Sequence, residues 1–267
     1  GESLPPALAL ALQHGTSIGG ARPKATLAGE GRRWIAKFSS SGDVLPMVKL
    51  EFVAMRLAAL VGLAVAPVRL VQAAGKEVLL VERFDRVRHA DGRWRRRGMV
   101  SALTLLALDE MLAAYASYED LAEIVRHRFE QPRESLRELF GRLVFNILCG
   151  NTDDHARNHA AFWDGARLSL TPAYDICPQA RTGQEATQAM KILGEQRFSR
   201  LDLCEAAAAC FQLSSAQARG LIDAQLQQVH VHWRAVCDEA GLGAAERNAL
   251  WGRQFLNPFA LQGYPAT

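Results

Sequence analysis

The stretch that decides the fold is Gly150-Asn151-Thr152-Asp153-Asp154-His155-Ala156-Arg157-Asn158-His159. It follows directly on an apolar helical pattern, Ser135 to Cys149, in which Leu139, Phe140, Leu143, Val144, Ile147 and Leu148 share one face. Two short strand-like pieces come next, Ala161 to Trp163 and Leu168 to Leu170, around the turn Asp164-Gly165. Seventeen residues beyond Asn158 stands Asp175, in Tyr174-Asp175-Ile176. A helix thus delivers a polar loop, a hairpin follows, and a lone carboxylate closes the series.

That order suits phosphoryl transfer. One carboxylate would orient and deprotonate the attacking hydroxyl, and an amide with a second carboxylate would hold the magnesium that neutralises phosphate charge. The spacing Asp153-x4-Asn158 equals that of protein-kinase catalytic loops, although D-x4-N alone is common. Upstream residues add weight. Lys37 sits in the alternating strand Trp34 to Phe38, on the face opposite Trp34, Ala36 and Phe38, and a lysine there needs an anion. Fourteen residues later Glu51 falls on a predicted helix, Val48 to Leu60, where it could pair with Lys37. Gly19-Gly20, with Lys24 close by, offers backbone amides to phosphate, but matches neither G-x4-G-K-[ST] nor G-x-G-x-x-G.

Each residue has a plainer use. Asp153 and Asp154 could cap a helix. His155 and His159 with Asp153 could ligate a metal, although no third His or Cys stands nearby. Lys37 could snorkel from an edge strand, and Glu51 could be solvated. All of these would have to hold together, in kinase order, to displace the first reading.

Working outward, Val68 to Val71 and Val78 to Val81 form a predicted hairpin, and Gly62 stops the helix before it. Helices are predicted at Ala102–Tyr115 and Leu121–Phe129, and helical character dominates from Leu201 on, with an alanine run at Ala206–Ala209 and a long pattern from Ser214 to Glu239. The expected fold is α+β and two-lobed: a strand-rich lobe, residues 1–85, before a mostly helical lobe, residues 86–267.

The chain has 267 residues, 49% of them hydrophobic, enough to bury a proper core. No apolar run approaches the ~20 residues of a membrane span. Leu4 to Leu12 lacks the basic start and cleavage site of a secretory signal. The first residue is Gly rather than Met, so upstream residues are expected. Five cysteines (Cys149, Cys177, Cys204, Cys210, Cys237) include no C-x-x-C pair, which points to a reducing compartment and hence the cytoplasm. Net charge is +3, too mild to imply nucleic-acid binding, but six arginines face two acids between Asp85 and Gly98. With Asp91-Gly92 as a turn, that run reads as a solvated hairpin, or as a docking surface for an acidic partner or phosphate.

The chain resembles the HipA-type serine/threonine kinases, toxin components of bacterial toxin–antitoxin pairs. The stretches that carry the resemblance are Thr16 to Lys24, Trp34 to Phe38, Val81 to Arg86, Gly150 to Asn158 and Pro172 to Ile176, in family order over roughly residues 15 to 240. The resemblance implies a protein-kinase-like fold using ATP and Mg2+. Asp153 would be the catalytic aspartate; Asn158 and Asp175 would bind the metal. Lys37, paired with Glu51, would contact the nucleotide phosphates. Gly19, Gly20, Ala21, Arg22 and Lys24 would belong to the phosphate-covering loop. Glu82 and Phe84 would hold adenine through their backbone, with His155 and Tyr174 lining the pocket. Ser17 matches the family's autophosphorylation site, where phosphate would push that loop out of its ATP-binding position.

Further implications concern partners. They are a DNA-binding, HipB-like antitoxin, through which DNA would be met only indirectly, and a protein substrate such as an aminoacyl-tRNA synthetase. The small N-terminal subdomain of full-length members is absent here. Either the chain was trimmed or that part is a separate polypeptide, as in three-gene HipBST relatives. Two alternatives stay open: a small-molecule phosphotransferase, and an inactive kinase-like module acting by antitoxin binding.

Overall fold

In the computed structural model, which describes residues 23–29, 31–40, 42–73 and 75–265, the alternating segment around Lys37 is strand β2 (Arg32–Phe38). Ser17 and Gly19 to Arg22 lie outside the described residues. Trp34, Ala36 and Phe38 share one face and pack with Ala25, Val78 and Leu80 in a small apolar cluster. Lys37 therefore turns to the other face, as period-two geometry requires. β2 lies between β1 (Lys24–Gly29) and β4 (Lys76–Glu82), and β4 pairs with β3 (Val68–Ala73), all antiparallel, in the order β1-β2-β4-β3. The register sets Lys24 opposite Lys37, Thr26 opposite Ile35 and Ala28 opposite Arg33. These pairs line the underside of the sheet.

Helix α1 (Met47–Leu60) is apolar on nearly every side and is buried almost throughout, with Glu51 buried among its apolar residues. It packs against the sheet and against the long helix α6 (Ser215–Glu239). The arginine run forms the expected hairpin, β5 (Arg86–Arg88) and β6 (Trp94–Arg96), turning at Gly92. β7 (Gly98–Ser101), absent from the sequence reading, then joins β8 (Ala160–Trp163) and β9 (Leu168–Leu170) in a second sheet.

The helix expected over Ala102–Tyr115 does not form as one piece. Only α2 (Ala102–Leu105) is α-helical; Ala107 takes φ 55°, and the Asp109 side chain accepts from the Leu112 amide to start a separate 3-10 turn, Glu110–Tyr115. An aspartate that can bond its own backbone favours such a break. α3 (Tyr118–Arg128) and α4 (Pro132–Leu148) follow close to expectation. After α5 (Leu201–Ala206) the alanine run enters a 3-10 turn, Ala208–Phe211, and ends at left-handed Gln212. α6, α7 (Ala244–Leu250) and α8 (Pro258–Leu261) complete the chain. No helix among the described residues is long and apolar enough to cross a membrane.

α4 is the axis of the core. Leu136, Leu139, Phe140, Leu143, Val144 and Ile147 are wholly buried in a cluster that continues into α1, α3 and α6. Arg142 is buried too, donating to Glu138 at 2.8 Å and to the Thr171 carbonyl at 2.8 Å, so α4 is tied to the segment that leads into Asp175. Two residues past the end of α4, Gly150 takes φ 70°, and an added Cβ there would collide with the Gln254 carbonyl. The polar loop leaves the helix through a gap that only glycine fills.

Candidate active site

The loop after Gly150 splits its two adjacent acids. Asp154 turns inward and is buried, accepting from the Tyr118 hydroxyl and pairing with His159 Nε2 at 2.9 Å. Burial pushes its carboxyl up, but His159, Tyr118 and Asn146 outweigh burial and hold it below the usual carboxylate range. Burial and the Asp154 charge together push the Tyr118 phenol well up. Asp153 turns outward and is exposed. The Asn158 carboxamide nitrogen donates to the Asp153 carbonyl at 3.2 Å, which closes the loop on itself. Asp154, read from sequence only as a helix cap, is the anchor that points Asp153 away from the core. Neither acid caps a helix.

Asp175 follows β9 with φ 61°, a left-handed conformation that aspartate tolerates better than most residues. Its carboxylate accepts from Lys37 Nζ at 2.5 Å. The same ammonium donates to Glu51, so the strand, the helix and the distant carboxylate meet in one cluster. Burial alone would lower the Lys37 pKa, but the charges of Glu51 and Asp175 outweigh it and push it well above the ordinary lysine value. Burial raises Asp175 as well, yet Lys37 prevails and holds it below the usual range. At Glu51 burial wins, and its carboxyl is pushed up.

The cluster opens on a cavity of about 580 Å³ lined by Lys24, Lys37, Asp153, His155, Asn158 and Asp175, among others. Tyr174 lies at its side, its hydroxyl donating to the Arg157 carbonyl at 2.7 Å. A second recess of about 290 Å³ shares Lys24, Lys37, Tyr174 and Asp175, and adds Ile35, Val81, Glu82, Phe84 and Met99. Phe84 meets Tyr174 at a tilt of 42°, ring centres 5.6 Å apart, and Phe162 edge-on at 5.9 Å. A flat, largely apolar slot thus adjoins a charged chamber. The Glu82 amide donates to the Pro67 carbonyl at 2.9 Å and its carboxylate pairs with Arg32 at 2.5 Å, so of its polar groups only the carbonyl is left to meet a ligand.

The donor set decides which cation fits. Among the described residues no group of three His, Cys, Asp or Glu could hold a metal. The H-x3-H reading fails because His159 is buried against Asp154, whereas His155 lines the cavity. One carboxylate and one carboxamide suit Mg2+, which takes few protein oxygens and completes its shell with phosphate and water. Residues the sequence reading missed also line the chamber: Glu110 and Arg157, an ion pair at its rim, with Asn151 and Gln179. Glu110 lies in the stretch misread as continuous helix, which concealed it.

A four-stranded sheet over a helical body, with a strand lysine, a helix glutamate and two loop acids at the junction, is a two-lobed protein-kinase-like fold. The chain belongs to the HipA-like C-terminal domain family, whose sequence model matches residues 16–233. The serine/threonine-protein kinase toxin HipA of Shewanella oneidensis is 28% identical over 187 residues, 60% of this chain and 42% of that protein. The chain spans between about a fifth and two fifths of the length of the curated relatives it matches. Among solved structures, HipA in its complex with HipB and operator DNA, from Shewanella oneidensis, superposes with a TM-score of 0.73 at 21% identity, over 92% of this chain and 67% of that one. The Helicobacter pylori proinflammatory kinase CtkA superposes with a TM-score of 0.56 at 15% identity, over 88% and 94%. At these identities the superpositions speak for the fold.

Proposed function

We propose that the chain is the catalytic core of an ATP- and Mg2+-dependent serine/threonine protein kinase of HipA type, the toxin of a toxin–antitoxin module. The observation that carries this reading is the convergence of Lys37, Glu51 and Asp175, up to 138 residues apart in sequence, at the wall of a cavity that Asp153 and Asn158 also line. Residues 1–85 would form the lobe over the nucleotide and residues 86–267 the lobe beneath it.

In this reading Asp153 orients the substrate hydroxyl and takes its proton. Lys37, held cationic and aimed by Glu51, contacts the nucleotide phosphates and exchanges its bond to Asp175 for them. Asn158 and Asp175 hold Mg2+, which supplies neutralisation of phosphate charge. Ile35, Phe84 and Tyr174 enclose the base, with the Glu82 carbonyl and the Phe84 amide at its edge and His155 beside it. Gly19, Gly20, Ala21, Arg22 and Lys24 cover the phosphates, and Ser17 accepts phosphate in autophosphorylation.

The superposed HipA was solved with HipB and operator DNA, which supports an antitoxin among the proposed partners. They are a HipB-like, DNA-binding antitoxin, a separate N-terminal-subdomain protein, and a protein substrate such as an aminoacyl-tRNA synthetase, all in the cytoplasm. The test is incubation with radiolabelled ATP and magnesium, wild type beside Asp153→Ala. Label on Ser17 in wild type alone is the expected result. Nucleotide binding without label in either protein would instead favour an inactive module.

A further inference from the structure

Beyond the nucleotide cleft, the sheet underside leads into a second basic recess. It has a volume of about 430 Å³ and is walled by Thr26, Arg33, Arg83, Arg86, Trp94 and Arg96, with β1 at its rim. By register it continues the series Lys37, Ile35, Arg33 past the adenine-side slot, with which it shares Arg83. Nothing in the proposed phosphoryl transfer uses it.

Its charges are organised but not balanced. Arg83 forks onto Asp85, Nε to Oδ1 at 2.9 Å and Nη2 to Oδ2 at 2.8 Å, and Arg86 bonds the same carboxylate. One aspartate therefore aims two guanidiniums. The Arg33 guanidinium lies 5.2 Å from the centre of the Trp94 ring, a cation–π contact that holds it beside the recess. Among the described residues neither Arg33 nor Arg96 has a carboxylate partner. Four cations thus line a concave space, and Asp85, the one carboxylate bonded to two of them, is not among its lining residues. Burial, and then the charges of Arg83 and Arg96, lower Arg86 below the ordinary guanidinium value despite Asp85.

We infer that this recess binds a phosphoserine or phosphothreonine side chain carried on an extended protein segment. Planar guanidiniums in fixed orientation match phosphate oxygens two at a time, and a dianionic monoester answers the surplus better than a single carboxylate. The carrier is argued from the sheet. β1 is its edge strand among the described residues, and Thr26 to Ala28 form the recess rim. A segment adding beside β1 would alternate its side chains between the two faces, and so present every second one to the recess. A nucleic-acid backbone offers singly charged diesters along a convex ridge, a poorer match to a concave pocket.

The test uses the whole chain and fluorescence anisotropy with labelled peptides of random flanks around one central phosphoserine. The unphosphorylated pool and a labelled DNA duplex serve as comparisons. The phosphoserine pool is expected to bind more tightly than its unphosphorylated twin. Arg33→Ala/Arg96→Ala should weaken it about tenfold or more, with ATP affinity unchanged because neither residue touches the nucleotide cleft. Arg33→Lys/Arg96→Lys, which keeps charge and guards against misfolding, should still lose most of the phosphate preference. Equal binding of the two pools, or full binding of the phosphoserine pool by both variants, would overturn the inference. Duplex DNA binding more tightly than phosphopeptide, and weakened by the same alanines, would reassign the recess to nucleic acid.

Discussion

Replacing Lys37 with methionine keeps an apolar stem of similar length and removes the cation between Glu51 and Asp175. Lys37 is 9% exposed and Glu51 5%, so the substitution strands a carboxylate in the interior. Removing one partner of a buried ion pair costs about 3–5 kcal/mol, which in a chain of this size lowers Tm by on the order of 10 °C. Two effects limit the loss: the ammonium no longer has to be desolvated, and Glu51 can take up a proton. The second gives the substitution its pH signature. Burial already pushes the Glu51 carboxyl up against the opposing Lys37, and without Lys37 it rises further. A carboxyl raised by folding contributes stability that is fully present below its unfolded value and is lost as pH climbs through the folded one. The deficit should therefore be large at about pH 8 and shrink towards about pH 5. Urea unfolding at the two pH values measures it. Lys37→Met/Glu51→Gln, which removes the buried charge, should recover much of the deficit at the higher pH. A cost below about 1 kcal/mol, the range of an exposed pair, or one that does not change with pH, would refute the buried-cluster reasoning.

Three further substitutions test the supports of the loop. Tyr118→Phe removes the hydroxyl donor to buried Asp154 and should cost about 1.5–3 kcal/mol in urea unfolding, whereas the same change at exposed Tyr115 should cost almost nothing. Gly150→Ala forces a Cβ against the Gln254 carbonyl at φ 70° and should destabilise by more than the ~1–2 kcal/mol of left-handed backbone alone. Gly165→Ala, with open space around it, should show only the backbone cost. Asp153→Asn should leave stability within about 0.5 kcal/mol of wild type while reducing label transfer by several orders of magnitude, since its exposed side chain supports no core contact.

The cleft was legible because its residues break local patterns. A lysine in an apolar strand, an acid inside an apolar helix and a polar loop behind a core helix each call for a partner elsewhere, and Lys37, Glu51 and Asp175 are those partners. The roles of Asp153 and Asp154 could not be separated in advance, because adjacent residues of one type carry no direction. The Tyr118 hydroxyl, 36 residues upstream, and the His159 ring together settle which acid goes inward. The break at Ala107 to Asp109 was hidden by apolar spacing that continues across it, since periodicity reports which face is buried and not whether the backbone stays helical. β7 is short and half-exposed, so its sheet pairing with Ala160 to Trp163 left little trace in its own residues. Of the phosphate-covering loop, Lys24 lies in β1 and faces the cavity; the expectations for Ser17 and Gly19 to Arg22 fall outside the described residues.

The central claim is that Lys37, Asn158 and Asp175 surround one magnesium-bound nucleotide. Titration of ATP by calorimetry, with and without magnesium, in wild type and Asp175→Asn, tests it most directly. The account predicts that magnesium tightens ATP binding to wild type and has little effect on the variant. ATP binding that ignores magnesium in wild type, or a magnesium effect that survives intact in Asp175→Asn, would contradict it.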